Sequence, residues 1–281
     1  MKEEQLGWVT RDGLKMYGRI WKPGGEPAAV ICLVHGLGEH IGRYEHVASF
    51  LTDDGYVLTG FDLRGHGRSE GPRGHAPTYD LLMDDVEDFL REAAQRYPKA
   101  VQFLYGHSLG GNLVVNFCLR RRPSLKGAVV SGPAFRPAFR PPVWKLTMGK
   151  WVYSLWPKLA MPNGLERAAL SRDPAVVRAY EADPLVHDKI SARLGLDLLN
   201  SGEWALTHAA ELPLPLLLMH GSGDRLTSPQ ASEEFARKAG KFCTLKIWNG
   251  LYHEIHNDPE KAEVVAFMAA WIRKQLVKND Q

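Results

Sequence analysis

The order of three stretches decides the fold: Val101-Gln102-Phe103-Leu104-Tyr105, then Gly106-His107-Ser108-Leu109-Gly110, then Gly111-Asn112-Leu113-Val114-Val115-Asn116-Phe117-Cys118-Leu119-Arg120. The first is an apolar run of strand length and the last reads as a helix. Between them stands Gly-x-Ser-x-Gly. Strand, Gly-x-Ser-x-Gly and helix together describe a turn tight enough to require glycine on both sides, with the serine hydroxyl held above a sheet. The pattern without its flanks is weak. Gly67-Arg68-Ser69-Glu70-Gly71 also matches it, yet Gly71-Pro72-Arg73-Gly74 follows and no helix can start there. Context therefore selects Ser108 over Ser69, whose bland reading is a turn serine. For Ser108 the bland reading is a helix cap.

Working outward, strands are expected near 7–10, 14–22, 28–34 and 56–61, with a helix near 44–54. Leu81, Leu82, Val86, Phe89, Leu90 and Ala93 recur at helical spacing within 78–97. A further strand follows at 126–131. The alternation stops at Pro133 and resumes at Leu214-Pro215-Leu216-Leu217-Leu218-Met219-His220, followed by a helix (229–239), a strand (244–248) and a last helix (260–277). Strands alternating with helices predict an α/β fold whose mostly parallel sheet is covered on both faces. The expected division is a core of 1–133 and 211–281, with 134–210 as an inserted, mainly helical cap. The insertion holds four of the eight tryptophans, Trp144, Trp151, Trp156 and Trp204. Trp144, Met148, Trp151 and Leu155 form one helical stripe, either packed onto the core or serving as an apolar lid on a lipid interface. Residues 134–165 carry Arg136, Arg140, Lys145, Lys150 and Lys158 and no acidic residue.

Composition narrows the functional class. The chain of 281 residues is 44% hydrophobic and 24% charged, as for a soluble globular protein, and its net charge of +3 gives no argument for nucleic acid. Met1-Lys2-Glu3-Glu4-Gln5 does not read as a secretory signal, and no apolar run reaches the ~20 residues needed to span a bilayer. Cys32, Cys118 and Cys243 cannot all pair with one another. Buried free thiols in a reducing compartment, hence a cytoplasmic protein, are the expectation. None sits at a turn beside a basic neighbour, as a nucleophilic cysteine would.

A serine hydroxyl becomes a nucleophile only when a base takes its proton. In this type of fold an acid and then a histidine follow the serine along the chain. Asp224, on the loop after Leu216-Leu217-Leu218-Met219-His220-Gly221-Ser222-Gly223, is the candidate acid; its bland reading is a cap for the next helix. His253, after Thr244-Leu245-Lys246-Ile247-Trp248, is the candidate base, and His256 is the rival. His253-Glu254-Ile255-His256 is one residue short of the zinc motif His-Glu-x-x-His. His187, His208 and His220 read as structural. Acyl transfer also needs two N–H donors for the oxyanion. Leu109 should supply one, and Leu37, in His35-Gly36-Leu37-Gly38 after the strand Val30-Ile31-Cys32-Leu33-Val34, the other. No cofactor and no metal is called for.

With those residues in hand, the chain resembles the monoacylglycerol lipase and lysophospholipase branch of the α/β-hydrolases. The likeness is carried by His35-Gly36-Leu37-Gly38-Glu39-His40 with Arg43-Tyr44, and by Asp62-x-Arg64-Gly65-His66-Gly67-x-Ser69-x-Gly71-x-Arg73-Gly74-His75. It is carried also by the Ser108 turn, Asp183-Pro184-Leu185, Gly223-Asp224 and Tyr252-His253 with His256. The resemblance implies a Ser108, Asp224, His253 triad, in agreement with the reading above. It implies further that Glu39, Arg43 and His256 line a polar pocket for the glycerol end of a substrate; alone, Glu39 and Arg43 read as a surface helix pair. The expected activity is hydrolysis of monoacylglycerol to glycerol and fatty acid. Trp144 and Trp151 are expected as further substrate contacts, and peripheral contact with a membrane or micelle is expected through the cap. A lysophospholipase or a short-chain carboxylesterase is the alternative within the enzyme class, and a ligand-binding member of the fold lies outside it.

Overall fold

The computed structural model describes residues 1–139, 156 and 158–277. Trp144, Met148, Trp151 and Leu155 therefore lie outside the described residues, as do Arg140, Lys145 and Lys150.

The first strands are β1 (Lys2–Val9), β2 (Lys15–Lys22), β3 (Val30–Val34), β4 (Val57–Phe61), β5 (Gln102–His107) and β6 (Gly127–Ser131). β7 (Ala160–Pro162) and β8 (Lys189–Ser191) form a separate two-stranded piece, and β9 (Leu216–Gly221) and β10 (Cys243–Trp248) return to the main sheet. That sheet has eight strands in the order β1-β2-β4-β3-β5-β6-β9-β10. β1, β2 and β4 pair antiparallel, and every pair from β4 to β10 is parallel. β3, β4, β6 and β9 are buried at every position, which is why they read as unbroken apolar runs rather than alternating ones. β1 begins five residues before the expected strand. Lys2 to Gln5 are exposed, and their antiparallel register on β2 is a backbone property that a polar edge does not announce in its side chains.

Alternate side chains of the central strands enter two separate cores. Val30, Cys32, Val34, Leu104, Val130 and Leu218 pack with α2 (Tyr79–Arg96) and α3 (Leu109–Arg121). Ile31, Leu33, Phe103, Tyr105, Val129 and Leu217 pack with α1 (Glu45–Asp53) and the last helix, α7 (Lys261–Val277).

Between β6 and β9 lie α4 (Pro174–Ala182), β8 and α5 (Ala192–His208); α6 (Pro229–Ala239) follows β9. Leu194, Ala205 and Leu206 of α5 belong to the first core, and α5 packs on α3 and α6. This helix is thus part of the layer covering the sheet, so we draw the end of the cap near residue 191 rather than 210. Among the described residues no helix is long and apolar enough to cross a membrane.

Candidate active site

The carboxyl ends of β3, β5, β9 and β10 open on one edge of the sheet, where parallel α/β proteins gather their chemistry. Ser108 follows β5 directly with φ 53° and ψ −114°, a conformation that costs a non-glycine residue of order 1–3 kcal/mol. The flanking glycines make it possible. A Cβ on Gly106 would lie 2.4 Å from Gly110 O, and one on Gly110 would lie 2.1 Å from Val34 O. Ser108 N–H donates to Ser131 O (3.0 Å), tying the turn to β6. The second Gly-x-Ser-x-Gly match has another fate: Ser69 Oγ donates to Asp62 O (2.5 Å) and accepts from Tyr17 N–H, fastening a loop.

Asp224 stands on the loop after β9. Its Oδ1 accepts from the N–H groups of Leu226 (2.7 Å) and Thr227 (3.0 Å). Its Oδ2 receives His253 Nδ1 at 2.7 Å, Thr227 Oγ1 at 2.8 Å and His220 Nε2 at 3.0 Å. The capping alternative falls away, because Ser228 caps α6. Burial opposes the charge on Asp224, but His253 and His220 outweigh it and hold the carboxyl well below its usual range. Burial likewise opposes charging His253, and Asp224 overcomes it, so the imidazole sits above its ordinary value. With Nδ1 donating to Asp224, His253 Nε2 carries the free lone pair. No hydrogen bond joins His253 to Ser108; the two side chains meet as walls of one cavity. Hydrogen bonds of this kind are often long without substrate.

His256, the rival base, does not touch Asp224. It stacks on Tyr44 at 4.8 Å, neither ring nitrogen has a partner among the described residues, and burial pushes it down to about 3. It is neutral and enclosed.

The Leu37 and Leu109 amides find no acceptor among the described residues, and both residues line the cavity at Ser108. Gly36, which precedes the Leu37 amide, is pinned through both its carbonyl and its N–H. His35 Nε2 accepts from Leu63 N–H (2.9 Å), which puts the ring proton on Nδ1, and this donates to Gly36 O (2.7 Å). Gly36 N–H donates to Glu39 Oε1 (2.7 Å).

Glu39, Arg43 and His256 do not line the cavity at Ser108. Glu39 is 2% exposed and His256 1%, and the Arg43 guanidinium is closed between Glu39 and Glu254. A buried guanidinium is retained only with carboxylates to match it, and two are within reach, one on each loop. This corrects both the pocket-lining expectation and the surface-pair alternative.

The cavity measures about 220 Å³. Apart from Ser108, Asn163, Thr227 and His253, it is walled by apolar side chains and Gly195, with Leu165, Ile190, Leu198, Leu199 and Leu226 prominent and Phe139 at the rim. No acidic or cationic lysine or arginine side chain lines it among the described residues. The three cysteines are free, and burial raises all three thiols. His220, Thr227 and Glu254 are the residues that pattern reading did not find as site components. His220 and Thr227 are placed by Asp224, within four residues of each, whereas Glu254 is placed by Arg43 on a remote loop.

A strained serine after a central parallel strand, a buried Asp–His pair and two unpaired amides over one cavity define a serine hydrolase of the α/β-hydrolase fold. Residues 25–260 match the family described as serine aminopeptidase, S33, and the chain belongs to it. It is 35% identical over 266 residues to a monoacylglycerol lipase of Mycolicibacterium smegmatis, covering 94% of this chain and 95% of that one. It is 36% identical over 277 residues to an uncharacterized abhydrolase domain-containing protein of Dictyostelium discoideum; there it covers 97% of this chain but spans only 29% of that protein's length. The crystal structure of Paleococcus ferrophilus monoacylglycerol lipase superposes with a TM-score of 0.83 at 32% identity, over 98% of this chain and 100% of that one.

Proposed function

We infer that this chain cleaves carboxylic esters of lipids, with monoacylglycerol as the substrate and glycerol and a fatty acid as products. The observation that carries the reading is the composition of the cavity: a serine, an Asp-paired histidine and two free amides at the floor, and apolar walls above. Such a cavity takes an acyl chain. Among the described residues no lining carboxylate meets the amino terminus of a peptide, and no lining lysine or arginine meets a lysophospholipid phosphate. A neutral alcohol ester fits best. Similarity to two monoacylglycerol lipases over nearly the full chain supports the same choice.

In the first half-reaction Ser108 Oγ bonds to the ester carbonyl carbon while His253 Nε2 takes its proton. The oxyanion lies between the Leu37 and Leu109 N–H groups, each worth ~3–4 kcal/mol in the transition state. Collapse breaks the bond to the glycerol oxygen, which leaves with the proton from His253. Water then gives its proton to His253 and attacks the acyl carbon, releasing the fatty acid and returning the proton to Ser108. Asp224 holds the His253 tautomer and its transient charge.

Phe139 (56% exposed), which lines the cavity, and Trp156 (64%), Leu159 and Met161 expose apolar side chains on the cap, suited to contact with a lipid aggregate. The test is direct. Ser108→Ala should fold, lose fluorophosphonate labelling and fall to background on a dissolved ester. Wild-type turnover in that variant would end the reading. Equal kcat/KM for monoacylglycerol and alkyl esters of the same chain length would remove the glycerol preference.

A further inference from the structure

Arg43 connects two loops that the reaction must keep in register. On one side its Nη1 bonds Glu39 Oε2 (2.7 Å), and the other oxygen of Glu39 accepts from Gly36 N–H (2.7 Å) and Tyr44 Oη (2.9 Å). That side belongs to the oxyanion loop. On the other side Nη1 and Nη2 form a fork onto Glu254, at 2.6 and 2.7 Å. Glu254 is the residue after His253, and its N–H donates to Leu170 O (2.8 Å) of the cap. Asn257 Nδ2 fills the remaining site on Glu254 Oε2 at 2.8 Å.

We propose that Glu254 is a positioning residue for the reaction, clamping the histidine loop to the oxyanion loop through Arg43. The inference rests on the serine-hydrolase reading above. Glu254 touches no reacting atom in this scheme. It fixes the separation between His253 and the Leu37 amide, and misplacement by about 1 Å in such a pair costs on the order of 100-fold.

The clamp has a second consequence, through charge. Two carboxylates enclose one guanidinium, which leaves one negative charge in excess inside the protein. Every hydrogen bond at Glu254 is accepted, as an ionised carboxylate requires, whereas at Glu39 burial and the charge of Glu254 outweigh Arg43 and raise the carboxyl. At Glu254 burial is outweighed by Arg43, which holds the carboxyl below its usual range. The surplus faces the imidazoles of His107, His253 and His256. Their rings lie 4.8 Å apart for His107–His253 and 4.7 Å for His107–His256. Burial keeps His107 and His256 neutral, so His253 is the ring that the surplus charge supports, with Asp224, when it takes up a proton.

The experiment counts sites with a fluorophosphonate and measures kcat and KM per labelled site on a dissolved ester across pH. Glu254→Gln keeps the shape and removes the charge. Its kcat per labelled site should drop about tenfold or more while KM stays within about a factor of two. The acid limb of its pH profile should move to lower pH. Glu254→Asp keeps the charge but is one methylene too short for the fork, so the limb should return while kcat stays low. A packing residue would change only the number of labelled sites, and wild-type kcat per site with an unmoved limb overturns the proposal. If Glu254→Gln gives no labelled protein, Arg43→Lys carries the test, since an ammonium cannot reproduce the two-sided fork. Wild-type kcat per site in that variant also overturns it. Failure of the wild-type protein to label would instead refute the hydrolase reading, so the two failures are distinct.

Discussion

Asp224→Asn isolates what the carboxylate does for the histidine. All five groups bonded to Asp224 act as donors, so an amide NH2 must displace some of them. At the Oδ1 position it would face the Leu226 and Thr227 N–H groups, which are fixed in the backbone and cannot turn away. At the Oδ2 position every neighbour can adapt. Thr227 Oγ1 already lies 3.1 Å from Gly132 O, His220 has Ser232 Oγ at 2.7 Å on its other nitrogen, and His253 can move its proton to Nε2. The amide therefore settles with NH2 toward the histidines. The fold survives at a cost of about 1–3 kcal/mol, while His253 presents an N–H where the serine needs an acceptor. The expected loss is about 10⁴-fold in kcat, close to 5.5 kcal/mol of transition-state stabilisation. Turnover of a dissolved short-chain ester, with circular dichroism and thermal melting as controls for folding, measures it. A folded Asp224→Asn protein retaining more than about a tenth of wild-type activity would refute the reasoning.

Because Asp224 lifts His253 above the ordinary 6.5, kcat/KM should rise with pH through a midpoint above that value, and a midpoint below 6 would contradict the assignment. Asp224 itself, held well below 3.8, contributes stability that is complete above that pH and is lost as pH falls through its folded value, which urea titrations at pH 2–5 would follow. Gly110→Ala places a Cβ 2.1 Å from Val34 O and 2.5 Å from His35 O, both backbone atoms. It should lower the urea-unfolding free energy by roughly 3 kcal/mol, and a change under about 1 kcal/mol would show that the turn can yield. His220→Ala removes one donor from Asp224 Oδ2 and leaves Ser232 without its partner; we expect about a tenfold fall in kcat with KM unchanged, and full activity would make His220 a packing residue only. Joint replacement of Phe139 and Trp156 by serine should reduce activity on micellar substrate more than on a dissolved ester, whereas equal losses would speak against a lipid-facing role.

The sequence alone determined what depends on neighbours in the chain. The strand–turn–helix around Ser108 is legible because crowding at Gly106 and Gly110 acts within a few residues. The buried parallel strands are legible because burial on both faces demands unbroken apolar runs. Asp224 and His253 could be chosen by their places after β9 and β10, since a loop at the carboxyl end of a parallel strand has few directions to go. Only the tertiary structure decided between His253 and His256, three residues apart on one loop: one ring meets Asp224 and the other stacks on Tyr44. It alone turned Glu39 and Arg43 from pocket lining into a buried clamp, recruited His220 and Glu254, and placed α5 in the core. Apart from His220, which meets Asp224 four residues on, each of these rests on a contact between segments remote in sequence, and such contacts are set by how layers pack, a long-range balance of burial and charge pairing that no local pattern encodes.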